Sequence, residues 1–313
     1  MDNNGLLYVI TGPTASGKTA IGIELAKLVG GEIISADSMQ VYKDMNIGTA
    51  KPTEEEMDGV SHHLISIITP STPFSVAEYQ QLAKKAIADV FARGKVPILV
   101  GGTGFYINAV LYGTEFTPTE DSVENKLRED FVKIAEEKGT ECLHDMLKNI
   151  DPVSAENIHK NNIKRVARAL SYCKVTNSLF SDHNKNQKEL RKTKANLNYN
   201  SVFITLNMPR EVLYNRINKR THIMWDTGLV NETKNLLALG YNQSLPSMNA
   251  IGYKETLQYL NGLLTESDTI ESIKQATRNY AKRQETWFRH QSPEAIKLNV
   301  HEKTAKEIVK EII

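Results

Sequence analysis

Over the first hundred residues, short β-branched and aliphatic runs alternate with stretches whose apolar side chains recur every three or four positions. That alternation is expected of parallel strands covered by helices. It predicts strands at Leu6–Ile10, Glu32–Ser35, His63–Ile65 and Val96–Val100. A first helix is predicted to follow residues 12–19, with Ile21, Leu25 and Leu28 on its buried side. A second, near Val76–Arg93, carries Ala83, Ile87, Val90 and Phe91 at helical spacing. From about Glu115 the pattern changes. Residues Glu115–Asn196 read as helical and highly charged, and the polar run Ser181–Lys194 reads as flexible. Val202–Leu206 then returns as a strand, Asn207-Met208-Pro209-Arg210 leads into a helix, a helical pattern persists to about Arg289, and Ala295–Val300 adds a short strand. The expected fold is α/β, a parallel sheet flanked by helices with an inserted all-helical domain. Residues 1–114 form the first part of the core, 115–200 the insertion, and 201–313 the second part with a helical C-terminal extension.

The bulk properties narrow this picture only slightly. A chain of 313 residues can bury a sizeable interior as one large domain or a core with an insertion. Cys142 and Cys173 lie in helix-like segments without metal-ligand spacing, so free thiols of a reducing compartment are expected. Met1-Asp2-Asn3-Asn4 is not a basic region followed by an apolar one, and no apolar run is long enough to span a bilayer. A soluble cytoplasmic protein without membrane association is expected, with a monomer as the default. The net charge of +1 is unevenly distributed: Glu156–His222 holds 14 Lys and Arg against 4 Asp and Glu. Such a basic middle suits a polyanion such as RNA, or is a solvated helical surface.

The chemistry begins after the first strand. Gly12-Pro13-Thr14-Ala15-Ser16-Gly17-Lys18-Thr19 is G-x-x-x-x-G-K-T between a predicted strand and a predicted helix, a phosphate-binding P-loop. Its glycines let backbone N–H groups turn inward around an anion, the helix N-terminus adds its dipole, and Lys18 adds a full charge. Thr19 is placed to bind a phosphate-bound Mg²⁺. Three further segments fall just beyond predicted strands, where a parallel sheet opens its binding crevice. Asp37, in Ser35–Tyr42, is a metal carboxylate, a general base or a turn residue. Gly101-Gly102-Thr103-Gly104 occupies the strand end where NTPases often carry an Mg²⁺-holding Asp, which argues against routine ATP hydrolysis. Asn46–Pro52 leads to His62-His63, whose adjacent side chains point to opposite faces of a strand and so make a poor metal pair.

Taken together, these segments resemble the bacterial tRNA dimethylallyltransferase family. The resemblance rests on Gly-Pro-Thr-Ala-Ser-Gly-Lys-Thr at 12–19, Asp37-Ser38 with Gln40 and Tyr42, Ile-Gly-Thr-Ala-Lys-Pro at 47–52, His62-His63-Leu64 and Gly-Gly-Thr-Gly at 101–104. It continues through Arg165, Arg168-Ala169-Leu170, Arg216-Ile217-Asn218, Arg220, Met224, Gly228, Ala-Ile-Gly-Tyr-Lys-Glu at 250–255, Ala281-Lys282-Arg283-Gln284 and Trp287-Phe288-Arg289. It implies a P-loop NTPase-like core and transfer of a dimethylallyl group from dimethylallyl diphosphate to the exocyclic amine of an adenosine. That adenosine adjoins the anticodon on its 3′ side, in tRNAs reading codons that begin with U; pyrophosphate leaves and Mg²⁺ assists. Relatives that act on free adenylate, small-molecule kinases and RNA-binding NTP switches are the competing classes.

By that resemblance, residues 12–19 hold the diphosphate, with Lys18 and Arg216 or Arg220 neutralising the leaving group. Thr103 donates to the bridging oxygen, and Asp37 is the candidate general base. Asp37, Ser38, Met39, Gln40 and Thr103 face the target nucleotide. Lys164, Arg165, Val166, Ala167 and Arg168, then Asn249, Gly252, Tyr253 and Lys254, then Arg278, Lys282 and Arg283 approach the anticodon stem-loop of the tRNA. Tyr253 is either a base-stacking ring or packing. Three positions depart from the family pattern: Ser66 and Ser171 stand where Asp and Glu are usual, and Phe105 replaces Leu.

Overall fold

Leu7 and Val9 face one side of the first strand and Tyr8 and Ile10 the other, and all four are buried, so both faces of the sheet must be covered. The computed structural model describes residues 5–113, 121–190, 198–292 and 294–313. Its strands are β1 (Leu7–Thr11), β2 (Gly31–Ser35), β3 (His62–His63), β4 (Val96–Gly101), β5 (Ser201–Asn207) and β6 (Ile296–Asn299). They form one sheet in the order β3-β2-β4-β1-β5-β6 with parallel pairing throughout. The expected α/β architecture with a parallel sheet is therefore the one observed.

The chain separates into two compact units, Met1–Gly113 with Leu197–Ile313, and Thr114–Asn196. In the first, the strands alternate with α1 (Lys18–Val29), α2 (Glu54–Met57), α3 (Val76–Ala92) and α4 (Gly104–Tyr112). The second holds α5 (Asp121–Lys138), α6 (Thr140–Ile150), α7 (Pro152–Asn157), α8 (Ile163–Thr176) and α9 (Phe180–Leu190). The first unit resumes with α10 (Arg210–Asp226), α11 (Leu229–Ala238), α12 (Tyr253–Leu260), α13 (Glu266–Gln291) and α14 (Ala305–Ile312). Ile34 and Leu99 join Leu7 and Val9 under α3 and α4, whereas Ile33, Ile98 and Ile204 lie under α1, α10 and α14. A further cluster joins Val41, Tyr42 and Met45 to α11, α12 and α13.

Three sequence expectations are corrected. Leu28 is 63% exposed, although Ile21 and Leu25 are buried. It sits in the last turn before the Gly30 cap, where Val29 and not Leu28 packs on the core. The third strand is His62–His63 and does not extend to Ile65, because Leu64 and Ser66 take left-handed backbone angles (φ 62° and 54°) that end it. Residues 180–190 of the supposedly flexible run form α9, and residues 191–194 lie outside the described residues. The helix is anchored at its start: Phe180 is buried, and the Ser181 N–H donates to Asp151 Oδ2 at 2.8 Å.

In the helical unit, α8 buries Val166, Ala167, Ala169, Leu170 and Cys173, which leaves Lys164, Arg165 and Arg168 exposed. Buried Ser171 donates to Arg168 O (3.0 Å) and accepts from Arg128 Nε (3.4 Å), while Glu124 pairs with Arg128. A hydroxyl thus faces this cation where the family pattern has Glu. Cys142 and Cys173 are free.

At the start of β2, the nearly buried Glu32 carboxylate accepts from Arg93 (2.6 Å) and Lys95 (2.8 Å), with His63 Nε2 at 2.6 Å. Burial works against its ionisation, but the hydrogen bonds from Lys95, His63 and Arg93 prevail and hold its carboxyl at about 2. His62 instead bonds the Val60 carbonyl at 2.8 Å. Both histidines therefore have local partners.

Candidate active site

The loop between β1 and α1 is shaped by residues that cannot all be ordinary. Gly17 caps α1 at φ 92°, and Ala15 is held at φ 63°, a left-handed conformation costly for a residue with a Cβ. Ser16 N–H donates to Pro13 O at 3.3 Å. Lys18 Nζ folds back to donate to Gly12 O (3.0 Å) and Pro13 O (2.7 Å). Burial pushes the Lys18 amine down to about 7, with nearby Asp37 opposing that shift and Arg220 adding to it. On α10, Arg216 and Arg220 stand one turn apart. Arg216 Nη1 lies 4.0 Å from where a Gly17 Cβ would be, and neither arginine forms a salt bridge among the described residues. Burial also lowers the Arg220 guanidinium, against the pull of Glu56. Three basic side chains near the loop, without a paired carboxylate among the described residues, are the complement of a multiply charged anion.

Across the crevice, two loops are pressed together by a missing side chain. A Cβ on Gly101 would stand 2.2 Å from Ala36 O, so only glycine lets the end of β4 touch the loop after β2. Thr103 N–H donates to Ala36 O (3.1 Å), and the Ser38 N–H donates to Thr103 Oγ1 (3.1 Å). The Thr103 hydroxyl lies 3.4 Å from Ser38 Oγ and also hydrogen-bonds with Tyr280. Asp37 Oδ1 accepts from Met39 N (2.8 Å) and Gln40 N (3.3 Å), an Asx turn that fixes its direction. Its Oδ2 has no hydrogen-bond partner among the described residues. Gln40 Nε2 donates to Thr49 O and Ala50 O (3.4 and 3.2 Å), which ties this loop to the next.

That next loop rests on a residue that sequence reasoning passes over. Glu232, on α11, accepts the N–H groups of Asn46, Ile47 and Gly48 (2.9, 2.8 and 3.0 Å) and the Tyr253 hydroxyl (2.6 Å). Nothing local in the sequence joins position 232 to positions 46–48; only the fold does. Tyr253 is fully buried, so its ring packs and does not stack on a base. Buried Gly252 commits its N–H to Glu255, which leaves Lys254 and Asn249 as the exposed members of that group. Val166 and Ala167 are likewise fully buried and cannot touch RNA; their neighbours Lys164, Arg165 and Arg168 can. Arg278 is held by Asn218 and Gln275 (2.8 Å each), whereas Lys282 and Arg283 are exposed. Ser66 accepts from Lys51 Nζ at 2.7 Å, so here too a hydroxyl faces a cation where the family has a carboxylate.

Tyr280, on α13, is a second omission. It lies against Thr103 and Gln284, and burial, reinforced by the charge of Asp37, pushes its phenol up to about 12. The Tyr280-Gln284 spacing of one helical turn is visible in the sequence, but not the face it presents. Among the described residues no three His, Cys, Asp or Glu side chains gather as a metal cage. Yet Ser16 Oγ is buried without a partner beside the loop, and Thr19 lies in the first turn of α1. Hydroxyls of this kind suit Mg²⁺ that takes most of its shell from phosphate oxygens and water.

Comparison with known proteins finds relatives over most of the chain. Residues 40–291 match the model of the IPP transferase family. A tRNA dimethylallyltransferase from Acetivibrio thermocellus is 50% identical over 289 residues, covering 92% of this chain and 89% of its own length. One from Bacillus velezensis is 50% identical over 287 residues, covering 92% and 88%. The crystal structure of tRNA delta(2)-isopentenylpyrophosphate transferase from Staphylococcus epidermidis superposes with a TM-score of 0.70 at 44% identity, over 98% of this chain and 97% of that one. A eukaryotic dimethylallyltransferase captured acting on tRNA superposes with a TM-score of 0.79 at 30% identity, over 95% and 75%.

Proposed function

This chain belongs to the IPP transferase family, and on that premise we propose that its P-loop grips the departing diphosphate of dimethylallyl diphosphate while the prenyl carbon passes to tRNA. It is a transferase that modifies tRNA with a dimethylallyl group. The acceptor is the exocyclic amine of the adenosine 3′ to the anticodon, in tRNAs reading codons that begin with U. The reading is carried by one juxtaposition: Lys18, Arg216 and Arg220, without a salt bridge among the described residues, around the loop, and the Asp37–Ser38 turn held to Thr103 beside Gly101.

Roles follow from the charge that moves. As the allylic C–O bond breaks, negative charge grows on pyrophosphate, where Lys18, Arg216, Arg220 and the loop amides neutralise it. Thr103 donates a hydrogen bond from its hydroxyl to the bridging oxygen. As the N–C bond forms, the amine proton goes to Asp37, whose free Oδ2 accepts it. Mg²⁺ held by Thr19 supplies further charge neutralisation when bound. The base leaves a single-stranded loop, which makes its extrusion inexpensive. Exposed Lys164, Arg165, Arg168, Lys254, Lys282 and Arg283 suit phosphate contacts. No helix among the described residues is long and apolar enough to cross a membrane. We place the enzyme, as a monomer, in the cytoplasm with its tRNA.

The test incubates labelled donor and Mg²⁺ with unmodified tRNA, an anticodon stem-loop or AMP. Label on both RNAs with stoichiometric pyrophosphate is expected; label on AMP alone overturns the tRNA reading.

A further inference from the structure

The sheet sets the spacing of the strands, but not that of the loop tips beyond them. β1 and β4 stay in register only to Thr11 and Gly101, after which the P-loop and the Thr103 loop leave the ladder separately. One side chain spans the gap. Gln284, on α13 and only 6% exposed, accepts the Thr14 N–H at Oε1 (2.8 Å) and donates from Nε2 to Gly102 O (3.0 Å). A single planar amide thus satisfies a donor in one loop and an acceptor in the other.

Gly102 belongs to the same fit. A Cβ there would stand 2.2 Å from Gln284 Nε2, while the nearest atom outside Gln284 is Gly12 O at 3.5 Å. Position 102 is therefore glycine because of the glutamine. Thr14 N–H is also withdrawn from the inward-facing amides, so the bound anion meets a loop whose second residue after Gly12 is already committed. Tyr280, one turn earlier, hydrogen-bonds with both Gln284 and Thr103.

We propose that Gln284 is a positioning residue that sets the distance and orientation of the diphosphate cradle relative to Thr103 and Asp37. It ties both loops to α13, the helix that also exposes Lys282 and Arg283. The proposal rests on the P-loop being the diphosphate site. The residue type is demanded by the geometry. Glutamate keeps the acceptor and loses the donor, methionine keeps the length and loses both, and asparagine is one methylene short. Small misplacements at a reacting centre cost much more in rate than in binding.

The test uses the full chain, with inorganic pyrophosphate and Mg²⁺ in calorimetry and donor plus tRNA in single-turnover assays. Gln284→Met should weaken pyrophosphate about tenfold, because Thr14 is no longer held and the cradle must be ordered on binding. It should slow transfer about 10²-fold with the KM for tRNA within about threefold of wild type. Gln284→Glu should fall between the two. Gly102→Ala should slow transfer by itself, yet add nothing to Gln284→Ala, because shortening residue 284 removes the clash. Both Gln284→Met and Gln284→Glu within about threefold of wild type in rate and pyrophosphate affinity would overturn the proposal. So would losses at 102 and 284 that multiply. Pyrophosphate affinities compare the variants even if wild type fails to transfer the prenyl group, a failure that would sink the functional reading alone.

Discussion

The two units use opposite means to present chemistry. In the α/β unit Asp37 and Thr103 sit on loops beyond strand ends, and their positions are set by backbone: the Asx turn of Asp37, the contact of Gly101 with Ala36, and the three amides bound by Glu232. In the helical unit the candidate residues are long side chains on the exposed face of one amphipathic helix, α8, opposite its buried Val166, Ala167 and Leu170. The first arrangement places an atom to within fractions of an ångström. The second places charge along a surface and tolerates substitution. Catalysis needs the former and polyanion binding is served by the latter, so perturbations of the two units should differ in kind.

Three variants probe that contrast. Asp37→Asn keeps an oxygen for Met39 and Gln40 N–H but loses the base, so single-turnover transfer should fall ~10²–10⁴-fold with tRNA binding nearly unchanged. A rate close to wild type would remove Asp37 as the base. Gly101→Ala forces the two loops apart and should cost about 10²-fold in rate; pyrophosphate affinity, measured alongside, should change far less, since the P-loop itself is untouched. In the helical unit, K164A/R165A/R168A should leave the rate at saturating tRNA intact. Its signature is affinity: the log–log salt slope should shrink by about 0.7–0.9 for each phosphate no longer neutralised, and an unchanged slope would return α8 to an ordinary solvated face.

The smallest effect concerns stability alone. Glu32 has a folded-state carboxyl at about 2 against an ordinary 4.5. A depressed carboxylate stabilises above its unfolded value and loses that contribution as pH falls through the folded one. Glu32→Gln should therefore lower the melting temperature at neutral pH, and the gap to wild type should close between about pH 5 and pH 2. A gap independent of pH would mean that packing, not charge, is what Glu32 contributes.

Much of this is legible in the residues alone. Positions 12–19 carry their own geometry, because consecutive amides and two glycines make an anion cradle wherever a strand meets a helix. β1, β2, β4, β5 and β6 are recognisable as apolar runs, with boundaries within a residue or two. The run from Ser181 misleads because a polar composition says nothing of a buried anchor such as Asp151, which caps α9 from the junction of α6 and α7. Adjacency groups Val166 and Ala167 with their charged neighbours, whereas helical periodicity turns them inward. Tyr253 is ambiguous between stacking and packing until its hydroxyl is found on Glu232.

By itself, then, the chain's order of residues determined the P-loop, the parallel α/β core and the charged faces, since each depends on neighbours within a turn or a strand. Only the tertiary structure decided that Ser38, next to Asp37, meets Thr103, that Arg216 and Arg220 both stand near the loop, and that Gln284 spans Thr14 and Gly102. Those contacts join residues 65 to 270 positions apart. Their distances come from how strands and helices pack, which no local pattern encodes.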